Sequence, residues 1–187
     1  MLPRGFKADA ERRAIALRAE LGLRPTDALP PKDLAAHLNV GFRVADELVP
    51  REALESLDRL QPGCFSACTL RGPDNGPVIV VNPLNSQGRQ LSDAMHELSH
   101  ILLRHETRKL ERIAGLVFLT CDAAQEEQAD ALGSTLLLPR PLLVAADARG
   151  MSAPAIAKAY EVNEQLTRWR LNTTGVAIQI RRRATTG

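Results

Sequence analysis

The chain has 187 residues, enough for one domain with a sizeable hydrophobic core and a small appendage. Apolar residues make up 44% and charged residues 25%, with a formal net charge of +2. That profile is an ordinary soluble globular one, and its mild basic balance gives no argument for a nucleic-acid partner.

No stretch approaches about 18 uninterrupted apolar residues, which argues against a membrane-spanning helix. The start, MLPRGFKADAERR, shows no apolar signal-peptide core, so a cytoplasmic location is expected. Cys64, Cys68 and Cys121 match neither a zinc ribbon nor a disulfide framework and read as reduced thiols. A role for Cys121 as a fourth, blocking metal ligand is the alternative for that residue.

From the N-terminus, Ile15, Leu17 and Leu21 among charges over Ala8 to Leu21 point to an amphipathic helix stopped by Gly22. Leu29 to Leu38, with Pro30 and Pro31 at its start, reads as a turn into a short helix. His37 stands alone there and reads as a surface or half-buried histidine. Gly41 to Val44 reads as a short strand. Cys64 to Leu70 and Val78 to Val81 flank the cluster Arg71-Gly72-Pro73-Asp74-Asn75-Gly76-Pro77 and predict a β-hairpin. Asn82-Pro83 stops the second strand, and Asn85 to Gln90 reads as a polar loop.

The next helix is expected to begin near Ser92 as N-cap, with Leu91, Met95, Leu98 and Leu102 facing the core. It carries His96-Glu97-Leu98-Ser99-His100, the pattern H-E-x-x-H. Residues four apart on an α-helix are separated by about 400°, or 40° modulo a turn, so both imidazoles project from one face. Neutral imidazole is a good zinc ligand, and the Glu after the first His can polarise a water there. His105 lies about 140° round from His100 if the helix continues, which excludes it from the same site. It reads as a helix-end residue.

A catalytic zinc takes three protein ligands and leaves one position for water. The third is expected from the segment Glu126 to Pro139, a helix with Ala129, Leu132 and Leu136 inward and Pro139 at its end. Glu126 and Asp130 are four apart and share a face, so Glu126 reads as the ligand and Asp130 as the partner of an imidazole N–H. Glu127 competes as ligand but points about 100° away.

In these residues the chain resembles the ImmA/IrrE-type zinc metallopeptidase family. Members show an Arg-Gln upstream, a helix like A-H-E-L-x-H and a downstream E-x-E-A-N/D-x-F-A-x-x-L-L-M-P. The matching residues are Arg89-Gln90, Ala94 to His100 and Glu126 to Pro139. Departures are Gln128 for the second Glu, Leu132 for Phe, Gly133 for Ala and Leu138 for Met, and none removes a proposed ligand. The resemblance implies an α+β, zincin-like fold: a small antiparallel sheet packed on the H-E-x-x-H active-site helix, zinc between two helices, and further N- and C-terminal helices. Residues 1–149 are then expected to form the metallopeptidase domain and 150–187 a small helical extension on or beside its core.

The resemblance also implies a protease that cleaves a separate transcriptional repressor, of helix-turn-helix type, or an antitoxin-like regulator. The expected cofactor is one Zn2+ per chain, with Mn2+ as the alternative. His96, His100 and Glu126 are expected to bind it, and Glu97 to move the protons. Arg89, His105 and Tyr160 are equal candidates to steady the developing oxyanion. An exposed edge of the Cys64 to Val81 hairpin is expected to hold an extended substrate. The rival reading is a regulator that binds such a partner without cutting it.

Ser152 to Leu171 reads as two short helices around Glu161-Val162-Asn163, like a helix-turn-helix with Glu161 where the turn glycine stands. Packing or partner docking is expected of it rather than DNA binding. Val176 to Ile180 reads as a last strand, and Arg181-Arg182-Arg183 as a solvated terminus. Elemental analysis of the purified protein is expected to find about one equivalent of zinc, absent from a His96→Ala, His100→Ala double variant.

Overall fold

The computed structural model describes residues 1–105, 109–113, 116–120 and 122–178. Cys121 and Arg181 to Arg183 lie outside the described residues. Helix α1 spans Phe6–Glu20 and buries Ala10, Ala14, Leu17 and Arg18. Ile15 and Leu17 are two apart and cannot share a helical face. Leu17 takes the inner one, and Ile15, part of the expected amphipathic pattern, is exposed. Gly22 at φ 71° ends the helix as expected, letting the Leu23 amide reach the Arg18 carbonyl at 2.8 Å.

Helix α2, Pro31–His37, starts with its proline in the first turn. Strand β1 is Gly41–Val44, followed by a 3-10 turn at Ala45–Glu47 and helix α3, Arg51–Leu60, which the sequence pattern did not disclose. Strands β2, Ala67–Arg71, and β3, Pro77–Val81, form the expected hairpin. The sheet is not purely antiparallel, however. β3 pairs with β2 on one side in antiparallel register and with β1 on the other in parallel, giving the order β1-β3-β2. The run Val78 to Val81 suits that central place because both faces are covered. Ile79 and Val81 enter the main core, and Val80 packs with Ala45 and Leu54 in a smaller cluster.

Helix α4 spans Gln87–Leu102, so residues 87–90 are helical rather than loop, and Ser86 rather than Ser92 precedes the first turn. Ser92 sits inside the helix with its hydroxyl donated to the Gly88 carbonyl at 2.9 Å. The earlier start has a tertiary cause. A Cβ at Gly88 would stand 3.2 Å from the backbone of Glu161, Val162 and Asn163, so the first turn of α4 is held against a distant turn. Met95 and Leu98 are fully buried, while Leu91 and Leu102 are half-buried.

Strands β4, Lys109–Ile113, and β5, Leu116–Thr120, form a second, two-stranded antiparallel sheet. Helix α5 is Ala123–Leu137, with Ala129, Leu132 and Leu136 fully buried as expected. Helix α6 is Arg140–Ala148, α7 is Ala153–Ala159 and α8 is Glu164–Thr173. Between α7 and α8, Glu161 takes φ 54°, the left-handed conformation for which a glycine is the usual choice. Ile156, Ala157, Val162 and Leu171 enter the main core. Residues 176–178 are a helical turn, not the expected strand, and 179–180 lie outside the described residues.

Helix α4 packs most extensively on α5 and also lies against β2, β3 and α2. The fold is therefore α+β, with residues 96–100 on a helix between the mixed sheet and α5. Among the described residues no helix is long and apolar enough to cross a membrane.

The α4–α5 contact is close because Gly133 faces the other helix's backbone. A Cβ there would stand 3.2 Å from the Met95 carbonyl and 3.3 Å from the His96 amide. Gly133→Val is expected to lose about 1–3 kcal/mol of stability through overpacking. A urea midpoint equal to that of the wild type would contradict this packing argument.

Candidate metal centre

The contact between α4 and α5 brings two i,i+4 pairs face to face. His96 and His100 turn their Nε2 atoms toward each other at 3.0 Å. Across from them, Glu126 places Oε2 3.2 Å from His96 Nε2 and Oε1 3.6 Å from His100 Nε2. One ligand atom from each of the three residues lies within 4.8 Å of the others. Asp130, one turn after Glu126, accepts from His96 Nδ1 at 2.8 Å. Glu127 points instead to an ion pair with the amino group of Met1.

The donor set fits zinc. Ligands about 2.0–2.1 Å from one tetrahedral ion stand about 3.3–3.4 Å apart, and imidazole and carboxylate are both suitable donors. The separations of 3.0, 3.2 and 3.6 Å bracket that value. For His96 the fit extends further, because a proton held at Nδ1 by Asp130 leaves Nε2 with its lone pair directed at the cluster.

Glu97, on the next face of α4, is only 5% exposed. Its Oε2 accepts from the Thr69 hydroxyl on β2 at 2.6 Å. The carboxylate is thus held at the wall of a cleft of about 380 Å³ bounded by Cys64, Ser66, Asp93, His96, Glu97 and Asp130. A second cleft, of about 510 Å³, runs from His96 and Asp130 over Leu137 toward Leu166 and Trp169. His96 and Asp130 border both.

Electrostatics separate the two histidines. Burial works against charge on His96, but the Asp130 hydrogen bond, with Asp130, Glu126 and Glu97 as anions, outweighs it and raises the pKa. For His100 burial comes first and the His96 charge adds to it, so its pKa is lowered. Burial also raises the Asp93 carboxyl against the opposing Arg89 charge.

His105 stands at the helix end, as expected, but its contacts there are not legible in the sequence. Helix α4 does not continue past Leu102; Arg104 takes φ 55° and turns the chain back. His105 Nδ1 then lies 2.9 Å from His100 Nδ1, and its Nε2 lies 3.4 Å from Gln128 Oε1. It is outside the three-residue cluster but in contact with one member. The usual glycine signal for this turn is missing, so only the three-dimensional structure reveals it. Thr69 was missed too, because alternation in a strand does not say which helix a hydroxyl will meet.

Of the other residues considered for the oxyanion, Arg89 donates to Ser66 Oγ at 2.8 Å at the border of the smaller cleft. Tyr160 is turned elsewhere, donating to the Thr26 carbonyl at 3.3 Å and accepting from Arg149. His37 pairs with Glu20 at 2.9 Å, as an exposed surface histidine.

A family model described as Peptidase_M78, IrrE N-terminal-like domain, matches residues 64–172, which includes β2 through most of α8. No curated protein matches the chain. A solved structure described as a Mycobacterium tuberculosis transcriptional regulator is similar with a TM-score of 0.53 and 17% sequence identity. The match covers 91% of this chain and 47% of that one, so this chain spans about half its length. At that identity the likeness concerns the fold.

The raised His96 pKa has a sign that can be tested in metal-free protein. A histidine whose folded pKa exceeds its unfolded value, about 6.5, contributes stability fully present below that value and lost as pH rises through the folded one. His100, with a lowered pKa, contributes the opposite slope. Subtracting the stability of Asp130→Asn from that of wild type across a pH series should isolate the first effect. The difference is expected to be larger at mildly acidic pH and to shrink as pH rises; a flat difference would contradict the Asp130 assignment.

Proposed function

Since the chain belongs to the Peptidase_M78 family, the ImmA/IrrE metallopeptidases, we propose that it is a zinc-dependent endopeptidase. The observation that carries this reading is the convergence of His96, His100 and Glu126 on one point, with Glu97 buried beside them at the wall of an open cleft. His96, His100 and Glu126 would hold one zinc ion per chain, and Mn2+ has suitable ligands there too. Bound zinc supplies Lewis-acid polarisation of the scissile carbonyl and activation of water.

The chain's own residues do the rest. Glu97 takes a proton from the water as it attacks the carbonyl carbon, then gives that proton to the leaving amine nitrogen. Thr69 holds the Glu97 carboxylate from β2. Asp130 keeps the His96 proton on Nδ1 and so keeps Nε2 free as a ligand. Strand β2 is an edge of its sheet and lies against α4, so an extended peptide can add to it beside the cleft.

The substrate class we favour is a transcriptional repressor of helix-turn-helix type or an antitoxin-like regulator, met in the cytoplasm. Family membership supports a regulatory setting, as does the fold shared with a protein described as a transcriptional regulator. We treat residues 1–149 as the metallopeptidase domain and 150–187 as its helical extension. The α7–α8 pair serves packing rather than DNA reading in this account, since Ile156, Val162 and Leu171 are buried in the main core.

Glu97→Gln tests the reading. It is expected to retain zinc and fold while losing cleavage of the regulator by about 10²-fold or more, measured by mass spectrometry of the products. A variant that regulates as well as wild type would replace the protease by a regulator that binds its partner without cutting it.

A further inference from the structure

Two imidazoles that meet nitrogen to nitrogen share one proton, and the ring that carries it fixes what its other nitrogen can do. His100 and His105 meet in this way, Nδ1 to Nδ1 at 2.9 Å, with ring planes 73° apart. On its far side His105 Nε2 faces the side-chain oxygen of Gln128 at 3.4 Å. An amide oxygen only accepts, so that contact places the His105 proton on Nε2 and leaves its Nδ1 bare. The shared proton then sits on His100 Nδ1. His100 Nε2 is left with a lone pair directed at His96 and Glu126. The opposite arrangement would put an N–H on His100 Nε2, pointing into the three ligand atoms.

From this geometry we infer that His105, steered by Gln128, is a positioning residue that fixes the tautomer and orientation of His100 as a metal ligand. The inference rests on the zinc reading above and deepens it. The local backbone supports the same job. The His105 amide donates to the His100 carbonyl at 3.0 Å, made possible by the left-handed Arg104, so one residue closes the helix end and braces the ring above it. The two histidine ligands are thereby backed differently. Asp130 supports His96 with an anion, whereas His105 supports His100 with a neutral acceptor. A neutral support adds no negative charge to a site that already holds Glu126 and Glu97, and so preserves the electrophilicity of a bound cation.

The experiment uses the full chain, stripped of metal, with zinc as the probe and a chromogenic chelator as competitor. His105→Ala is expected to weaken zinc binding about 10–100-fold, with the unfolding temperature of the metal-free protein unchanged. His105→Asn, which returns an acceptor near the Nδ1 position, should recover most of that loss. Gln128→Leu should weaken zinc as well, and Gln128→Glu, which keeps an acceptor, should not. In the zinc-loaded wild type, long-range 1H–15N spectra should show His105 protonated at Nε2. If His105→Ala disturbs folding, Gln128→Leu and the spectrum decide the matter. Wild-type affinity in both His105→Ala and Gln128→Leu, or a His105 proton on Nδ1, would overturn this inference alone. Absence of zinc uptake by the wild type would overturn the metal reading and this inference with it.

Discussion

The close approach of α4 and α5 is the constraint on which the rest depends. His96 and His100 come from one helix, Glu126 and Asp130 from the other, and neither pair is a site by itself. Gly133 makes the meeting possible, because its missing side chain lets α5 rest on the α4 backbone at Met95 and His96. The contact therefore falls at the first histidine itself, and α5 reaches the site without long side chains spanning a gap. A glutamate with a short reach can then stand 3.2 Å from an imidazole nitrogen.

Helix α5 is held along its length so that this register is kept. At its start Asp122 accepts from the Ala124 and Gln125 amides. At its far end the helix's unsatisfied carbonyls meet two buried guanidinium groups. Arg18 donates to the Leu136 carbonyl at 2.7 Å and Arg170 to that of Leu138 at 3.0 Å. Arg170 also pairs with Glu11 at 2.7 Å, tying α8 to α1 across the end of α5. Among the described residues no buried side-chain polar atom lacks a hydrogen-bond partner. The polar interior thus acts as a frame for the Glu126–Asp130 face, while the apolar core supplies the bulk of the packing.

What was legible in the sequence is what short-range periodicity encodes. The i,i+4 spacing placed His96 with His100 and Glu126 with Asp130, and the Asp74-Asn75-Gly76 cluster marked the β2–β3 turn, where Asn75 takes φ 63°. What was hidden depends on partners far along the chain. The parallel pairing of β1 with β3 leaves no local trace. The true start of α4 follows from Gly88 meeting residues 161–163, and Ser92, a good cap by type, is satisfied inside the helix. Thr69 gained its meaning only when β2 was laid beside Glu97. His105 stands at the helix end and outside the ligand set as expected, but its contact with His100 depends on the left-handed turn at Arg104, a residue that gives no warning of one.

A zinc site made of two imidazoles and one carboxylate, open on one side, is the central claim. X-ray absorption at the zinc edge of the loaded protein measures that directly. The expected result is two nitrogen scatterers, both imidazole, at about 2.0–2.1 Å with oxygen completing a four-coordinate shell at about 2.0–2.2 Å. A sulfur scatterer at about 2.3 Å, or a shell with fewer than two imidazoles, would contradict it.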